Sequence, residues 1–368
     1  MDFGLTDDQQ DLRDLAHRIF TDRSTDDSQR ALDEAGGPRF DKALWEELAK
    51  AGLLGIAVPE AAGGGGLGMI EQCLVLQEAG RSIAPVPIVA SIVSAALPIA
   101  SFGTAELIDR WARPAADGQT ILTAALVEPL NPDPHHPVTT ARDEGGVWRI
   151  SGAKTCVPAA TLASAILVPA TTPDGVAVFV VESDAAGLTI TPQHTTNGDT
   201  EGQVQLEDTP ASGILQGTDV LSWILERTTL ALCALQLGVC EEALRRTAAY
   251  SISRVQFERP IATFQAVGHR CADAYIDVEG IRLTLWQAAW LLSEGLPASM
   301  EVEVAKLWAS EGGHRVAHAA VHIHGGMGVA TEYPIHRYFV HAKQLEFSLG
   351  SATEQRLRIG ARLAAQPA

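Results

Sequence analysis

Residues 164–183 read SAILVPATTPDGVAVFVVES. Two apolar runs rich in β-branched side chains, SAILVPATT (164–172) and VAVFVVES (176–183), are split by Pro173-Asp174-Gly175. Short runs of this kind predict strands, because branched side chains fit a pleated surface and proline and glycine interrupt it. Similar runs stand on both sides: TILTAALVE (120–128), GVWRISGAK (146–154), LTITPQH (188–194) and GQVQLEDT (202–209). Their spacing predicts an antiparallel β domain, a barrel or sandwich, over residues 119–216. Between them NPDPHHPVTT (131–140) is proline-rich and predicts a surface loop.

The flanks change period. In residues 1–118, Thr6 is a candidate N-cap, and Leu12, Leu15, Ala16, Ile19 and Phe20 share one helical face. ALWEELAKAGLLG (43–55) and MIEQCLVLQEAGRSIA (69–84) are further helices, and the proline-bounded apolar run Val86 to Ala100 predicts a buried one. The glycines Gly63 to Gly66 invite a phosphate-loop reading, but no Lys-Ser/Thr follows and no strand precedes them, so they predict a helix connection. Residues 217–368 return to helix in four stretches: 219–254, 264–295, 299–325 and 352–364. Four such helices suit an antiparallel bundle. The chain is therefore expected to be a multidomain α+β protein of N-terminal helical domain (1–118), middle antiparallel β domain (119–216) and C-terminal four-helix bundle (217–368).

Composition narrows the function. Against 45 Asp and Glu stand 27 Lys and Arg, a net charge of −18 over 368 residues, and such a surface repels nucleic acid and anionic membranes. An anionic ligand must then be held by a few local arginines, lysines or backbone N–H groups. The five cysteines show no CxxC spacing, which suggests reduced thiols in a cytoplasm. The N-terminus lacks the pattern of a signal peptide, and no run approaches 18 apolar residues, so no membrane span is expected.

Two motifs carry chemistry. Arg254-Val255-Gln256-Phe257-Glu258-Arg259-Pro260 puts a cation and an aromatic at a helix end before a tight turn. Arginine suits two-pronged phosphate recognition, and Phe257 could cover a flat ligand or fill core. In Val321-His322-Ile323-His324-Gly325-Gly326-Met327-Gly328 the paired glycines permit close backbone approach to a ligand. His314, His318 and His322 fall at i, i+4 and i+8, a spacing that could hold zinc. No HExxH and no convergent carboxylate accompany them, so they predict partly exposed helix histidines and no metal.

The order helices, β domain, bundle, together with LTDDQQDLRDLAHRIF, LWEELAKAGLLGIAVPEAAGGGGLG, RVQFERPIATFQAVGHRCAD and HIHGGMGVATEYPIHRYFVHAK, resembles the acyl-CoA dehydrogenase family over nearly the whole chain. The resemblance implies FAD as cofactor and α,β-dehydrogenation of an acyl-CoA thioester. It implies that Arg254, Phe257 and Gln265 reach the FAD held mainly by a neighbouring subunit, Arg254 at the pyrophosphate. His322, where the family usually has Gln, and Gly325 and Gly326 would contact the ADP half.

Other family features are missing. The catalytic base is usually a Glu before a Gly-Thr pair, which aligns with Leu349, or a Glu ten residues before the glycine that aligns with Gly238, which is Thr228. Neither can accept the α-proton, a task that needs a close, desolvated carboxylate. Glu226 lies about 200° around a helix from Thr228, and Glu346 three residues before Leu349; both are weak candidates. The family's Thr-Glu-Pro-Gly-x-Gly-Ser-Asp flavin cradle is here Val127-Glu128-Pro129-Leu130-Asn131-Pro132-Asp133, and its Trp-x-Thr is Cys156-Val157-Pro158.

What serves the chain's own active site is thus lost, and what reaches a neighbour's FAD is kept. The pattern implies the base-lacking subunit of a heteromeric α2β2 enzyme, of the kind found in actinobacterial steroid and lipid catabolism, with a homologous catalytic partner. A bulky ring-bearing acyl-CoA would be its substrate. A self-sufficient homotetramer with Glu226 as a displaced base, and a non-redox CoA-thioester-binding scaffold, remain the alternatives.

Overall fold

The computed structural model describes residues 4–365, and they form two compact units. One gathers the chain up to Gln29, Cys73–Ala84 and everything from Thr229 onward; the other gathers Arg30–Gln72 and Pro85–Thr228.

The second unit is built on the six strands expected from the sequence and two that were not, Thr140–Glu144 and Gly213–Ile214. They are β1 (Leu122–Ala124), β2 (Thr140–Glu144), β3 (Val147–Pro158), β4 (Ala165–Thr172), β5 (Gly175–Glu182), β6 (Leu188–His194), β7 (Thr200–Pro210) and β8 (Gly213–Ile214). The sheet runs β6-β7-β3-β2-β4-β5-β8, with β1 added on β4. Most ladders are antiparallel, but β1 lies parallel to β4, and Thr140 of β2 pairs in parallel with Thr171. Strands β1 and β4 can be parallel because a long excursion, the 128–139 loop and the β2–β3 hairpin, separates them. Strand β4 is buried without alternation from Ala165 to Ala170, which is why its sequence is continuously apolar. Ile150, Val157, Ile166, Val168, Phe179, Val181, Val204 and Leu206 form the core, with the Trp148 ring 5.2 Å from that of Phe179. The β3–β7 ladder slips twice, between Ile150 and Gly152 and again between Lys154 and Val157.

Helices α1 (Asp7–Arg23), α2 (Asp26–Ala35), α3 (Lys42–Lys50), α4 (Met69–Arg81) and α5 (Val89–Phe102) precede the sheet in sequence. Thr6 caps α1 in a capping box with Gln9. The first part of α5, Val89–Ala96, is wound as a π-helix, and Ser94 Oγ donates to Val89 O at 3.0 Å across the wide turn. The glycine run is a packing turn. Gly64, Gly65 and Gly66 donate their N–H groups to Pro59, Gly55 and Val58, so they offer no phosphate cradle. A Cβ on Gly64 would meet Val58 O at 2.1 Å.

The first unit holds the long helices, α6 (Val220–Ser253) from Thr229 on, α7 (Gln265–Ser293), α8 (Ser299–His324) and α10 (Ala352–Ala365). A fifth helix joins these four: α9 (Ile335–Phe347), whose mix of aromatic and histidine residues hides its period. Ile335, Tyr338, Ala342 and Leu345 of α9 pack with Val239, Ala243, Ala317 and Ala320. Helices α4 and α6 touch through glycines: a Cβ on Gly238 would lie 1.9 Å from Gln77 O, and one on Gly80 2.1 Å from Leu235 O. By length and mean hydropathy α6 could cross a membrane, although no continuous run suggested it; 67% of its apolar window is buried inside the protein, as in a core helix.

Candidate functional site

In the second unit, the loop that aligns with the family's flavin cradle is closed on itself. Glu128 is buried and receives a 2.8 Å bond from Lys154 Nζ, with both side chains almost fully shielded. Its carboxylate also accepts from Val138 N–H at 2.6 Å, Thr139 N–H at 2.9 Å and Asn131 Nδ2 at 2.9 Å. Burial alone would push this carboxyl up, but the bonds from Lys154, the Asn131 amide and the backbone overcome it and hold the group at about 2. Lys154 also donates to Pro169 O at 2.8 Å, so the ammonium ties the loop to β4. Farther along, Asn131 N–H donates to Glu128 O, Asp133 N–H to Asn131 Oδ1, and His135 N–H to Asp133 Oδ1. Pro129 and Pro132 have no N–H to give. The donors a flavin phosphate would need are thus engaged within the loop.

The aromatic wall is replaced as well. Cys156 sits in the second β3 slip with φ of 49°, and its N–H donates to Gln193 Oε1 at 2.8 Å. Burial raises its thiol above the usual range. A small side chain on strained backbone offers no flat surface for a ring to lie on.

Thr228 is buried in this unit, its hydroxyl donating to Ser94 Oγ at 3.0 Å. Helix α6 is unbroken from Val220 to Ser253, so the 3.6-residue period keeps the half-buried Glu226 on a different side.

In the first unit, Leu349 follows α9 with φ of 54°, and Gly350 follows it at 107°. Three buried side chains brace this turn. Lys306 Nζ donates to Leu345 O at 2.6 Å and Ser310 Oγ to Glu346 O at 3.1 Å, capping the end of α9, while Gln355 Nε2 reaches Leu349 O at 3.4 Å. Burial pulls Lys306 down to about 8. Glu346 is engaged by Lys343 at 2.6 Å and His314 at 3.2 Å.

The arm 254–265 is arranged differently. Strands Val255–Gln256 and Arg259–Pro260 form a two-stranded hairpin whose turn residues, Phe257 and Glu258, both have positive φ, 52° and 66°. Two consecutive non-glycine residues there carry strain that a hairpin normally avoids with Asn-Gly. Phe257 is 86% exposed and lies edge-on to Phe264, 6.1 Å between centroids. Arg254 and Gln265 are exposed; Gln265 Nε2 lies 3.4 Å from His269 Nε2, and among the described residues no carboxylate pairs with Arg254. Beyond the arm, the first turns of α7 are exposed on nearly every side up to Asp273. A helix segment of that length gains little stability without packing.

At the end of α8, His322, Gly325 and Gly326 are exposed, and a Cβ on either glycine would meet no atom within 4 Å. His324 is buried, stacked on Tyr250 at 4.2 Å with Nδ1 bonded to Ala320 O. The rings of His314 and His318 lie tilted at 37° with centroids 4.2 Å apart, and His318 meets Phe339 edge-on. Among the described residues no group of three or more His, Cys, Asp or Glu is arranged to hold a metal.

Sequence reasoning singled out the motif residues and missed Lys154, Lys306 and Gln193. Lys306 left a signal, a lysine on the apolar face of α8; the other two left none.

Tested against a flavin dinucleotide, the two regions differ. The 127–133 loop, with its donors engaged, does not fit the pyrophosphate of the dinucleotide, and Cys156 offers no flat face for its isoalloxazine ring. Arg254, Gln265 and His322 are exposed hydrogen-bonding side chains, and Gly325 and Gly326 leave their backbone open to close approach.

Family models for acyl-CoA dehydrogenase match three consecutive stretches: the N-terminal domain at residues 6–119, the middle domain at 132–209 and the C-terminal domain at 215–364. The acyl-CoA dehydrogenase FadE27 of Mycobacterium tuberculosis is 45% identical over the full length of both chains. The ChsE4-ChsE5 complex from Mycobacterium tuberculosis contains a chain with 45% identity, full mutual coverage and a TM-score of 0.96. A steroid acyl-CoA dehydrogenase variant, Tcur3481-Tcur3483, also at 45% identity, covers 97% of this chain and 98% of its own with a TM-score of 0.93.

Proposed function

Since the chain belongs to the acyl-CoA dehydrogenase family, whose members are FAD-dependent oxidoreductases, we propose that it is the base-lacking subunit of a heteromeric acyl-CoA dehydrogenase. The observation that carries the reading is at the two base positions: Thr228 has its hydroxyl bonded to Ser94, and Leu349 is hydrocarbon. A homologous subunit supplies the carboxylate and the flavin pocket. When bound, FAD accepts the β-hydride of the thioester.

This chain's part is to grip and orient. Arg254 meets the pyrophosphate with Gln265 beside it. Gly325 and Gly326 let the backbone approach the ADP half, His322 adds a hydrogen bond, and the strained hairpin holds Phe257 out toward the partner. Orientation matters because a misplacement of about 1 Å can cost about a hundredfold in rate. The relatives described as a two-component complex and as a steroid acyl-CoA dehydrogenase support a heterotetramer acting on a bulky, steroid side-chain acyl-CoA, in the cytoplasm.

Purification of the chain alone and with a co-encoded homologue tests this. The isolated chain should carry little flavin and no dehydrogenase activity, and the pair should carry both. Full FAD content and turnover by the isolated chain would rule the proposal out in favour of a homotetramer, in which Glu226→Gln should then abolish activity. A flavin-free pair would favour a scaffold.

A further inference from the structure

The first turns of α6 carry a charge to which the proposed function gives no task. Arg227 is half-buried, its guanidinium carbon 3.7 Å from the centre of the Trp223 ring. Trp223 is itself fixed edge-on against Phe102, at 5.1 Å and 89°. All three residues belong to the second unit. Among the described residues, the only hydrogen bond from this guanidinium is a long one, Nη1 to Trp223 O at 3.4 Å. Burial pushes the arginine down to about 10, and Glu226 opposes this through space without a hydrogen bond to it.

Three other shielded arginines are engaged by two carboxylates each. Arg39 meets Asp33 and Asp199, Arg246 meets Asp26 and Glu242, and Arg282 meets Glu241 and Glu279. A guanidinium has five N–H donors, and most of those on Arg227 have no protein acceptor. Stacking on an indole returns only part of what its desolvation costs. It does leave the fork pre-oriented, so little side-chain freedom is lost when an anion arrives. Farther back on the helix, Ser222 Oγ lies 3.4 Å from His135 Nδ1.

We infer that Arg227, backed by Trp223, binds an oxyanion of the acyl-CoA ligand, either a CoA phosphate or a carboxylate on the acyl part. A planar guanidinium offers two parallel donors that match either group. The inference rests on the chain being a CoA-thioester binder. Its readout is binding and not turnover, so it can be judged even if the isolated chain proves active.

The test is equilibrium binding to the full chain, alone and with its partner, at low salt. The probes are coenzyme A, pantetheine (the same arm without phosphates) and cholate (a ring-bearing carboxylate). Arg227→Gln should weaken coenzyme A or cholate by about tenfold or more and leave pantetheine unchanged. A loss confined to coenzyme A assigns the phosphate; a loss confined to cholate assigns the acyl carboxylate. Arg227→Lys, which keeps the charge without the fork, should recover only part of the affinity. The melting temperature of Arg227→Gln should hold or rise, because a poorly compensated charge is removed. Unchanged affinity for both anions overturns the inference. So does a clear fall in melting temperature, which would mark Arg227 as a structural cation, and so does a parent chain that binds neither anion.

Discussion

The 127–139 loop of the sheet unit and the 254–265 arm of the bundle unit are built from similar material and use it in opposite ways. Both are rich in polar groups, and both hold non-glycine residues in left-handed backbone, Leu130 at φ 60° in one, Phe257 and Glu258 in the other. In the loop, Glu128, Lys154, Asn131 and Asp133 bond to each other and to the backbone. In the arm, Arg254, Phe257 and Gln265 are exposed. A loop that satisfies its own donors has finished its work within the chain. An arm that carries strain and exposes an arginine and a phenylalanine leaves those groups open to a ligand.

The largest effect that could break this contrast lies at Lys154. Lys154→Met leaves the Glu128 carboxylate buried without its counter-ion, which should cost about 3–5 kcal/mol in denaturant unfolding. Adding Glu128→Gln to the same chain should recover most of that loss. A single variant of near-normal stability would mean that the loop is not self-contained.

Acid titration gives a second measure of the loop. Glu128 is held at about 2 in the folded chain against 4.5 for the free group. A depressed carboxyl stabilises the fold above its unfolded value and loses that contribution as pH falls from 4.5 through 2. The amount is about 3 kcal/mol by linkage. The double variant Glu128→Gln, Lys154→Met should lack this acid-side slope. An identical slope in parent and variant would place the acid sensitivity elsewhere.

The arm should behave in the reverse manner. Arg254→Ala removes an exposed side chain, so the stability of the isolated chain should stay within about 0.5 kcal/mol. In the two-chain assembly the same change should weaken flavin retention by about ten- to a hundredfold, the worth of one charge-assisted phosphate contact. Flavin content measured after dialysis reads this directly. Equal retention by parent and variant would leave the arm without its assigned ligand.

The contrast was only half legible in the sequence. The arm could be singled out because it is local: an arginine, an aromatic and a turn lie side by side, and among the described residues Arg254 and Phe257 are exposed. The strands were legible for the same reason, as bounded β-branched runs. The loop's self-closure was not, because Lys154 reads as an ordinary strand lysine. It is buried only because β3 pairs it with a glutamate 26 residues away. The parallel β1–β4 pairing was hidden likewise, since parallel partners need distant segments. Helix α9 escaped because IHRYFVHAKQLEF mixes apolar and polar residues without a clean stripe. Arg227 escaped because a helix arginine next to a glutamate suggests a solvated face, and only the packing of Trp223 and Phe102 shows otherwise.

The smallest effect separates strain that is merely tolerated from strain that is used. Glycine reaches positive φ without steric cost, so Leu130→Gly and Glu258→Gly should each stabilise the isolated chain, by about 0.5–1 kcal/mol at most. Leu130 is fully exposed, so its removal forfeits no packing. Their effects should part in the two-chain assembly. Leu130→Gly relaxes a loop whose hydrogen bonds already fix it, and flavin retention should not change. Glu258→Gly loosens the turn that holds Phe257 out, and retention should fall a few-fold even as the chain itself becomes more stable. If both glycine variants leave retention untouched, the hairpin strain is incidental, and exposure alone, without a pre-shaped turn, accounts for what the arm does.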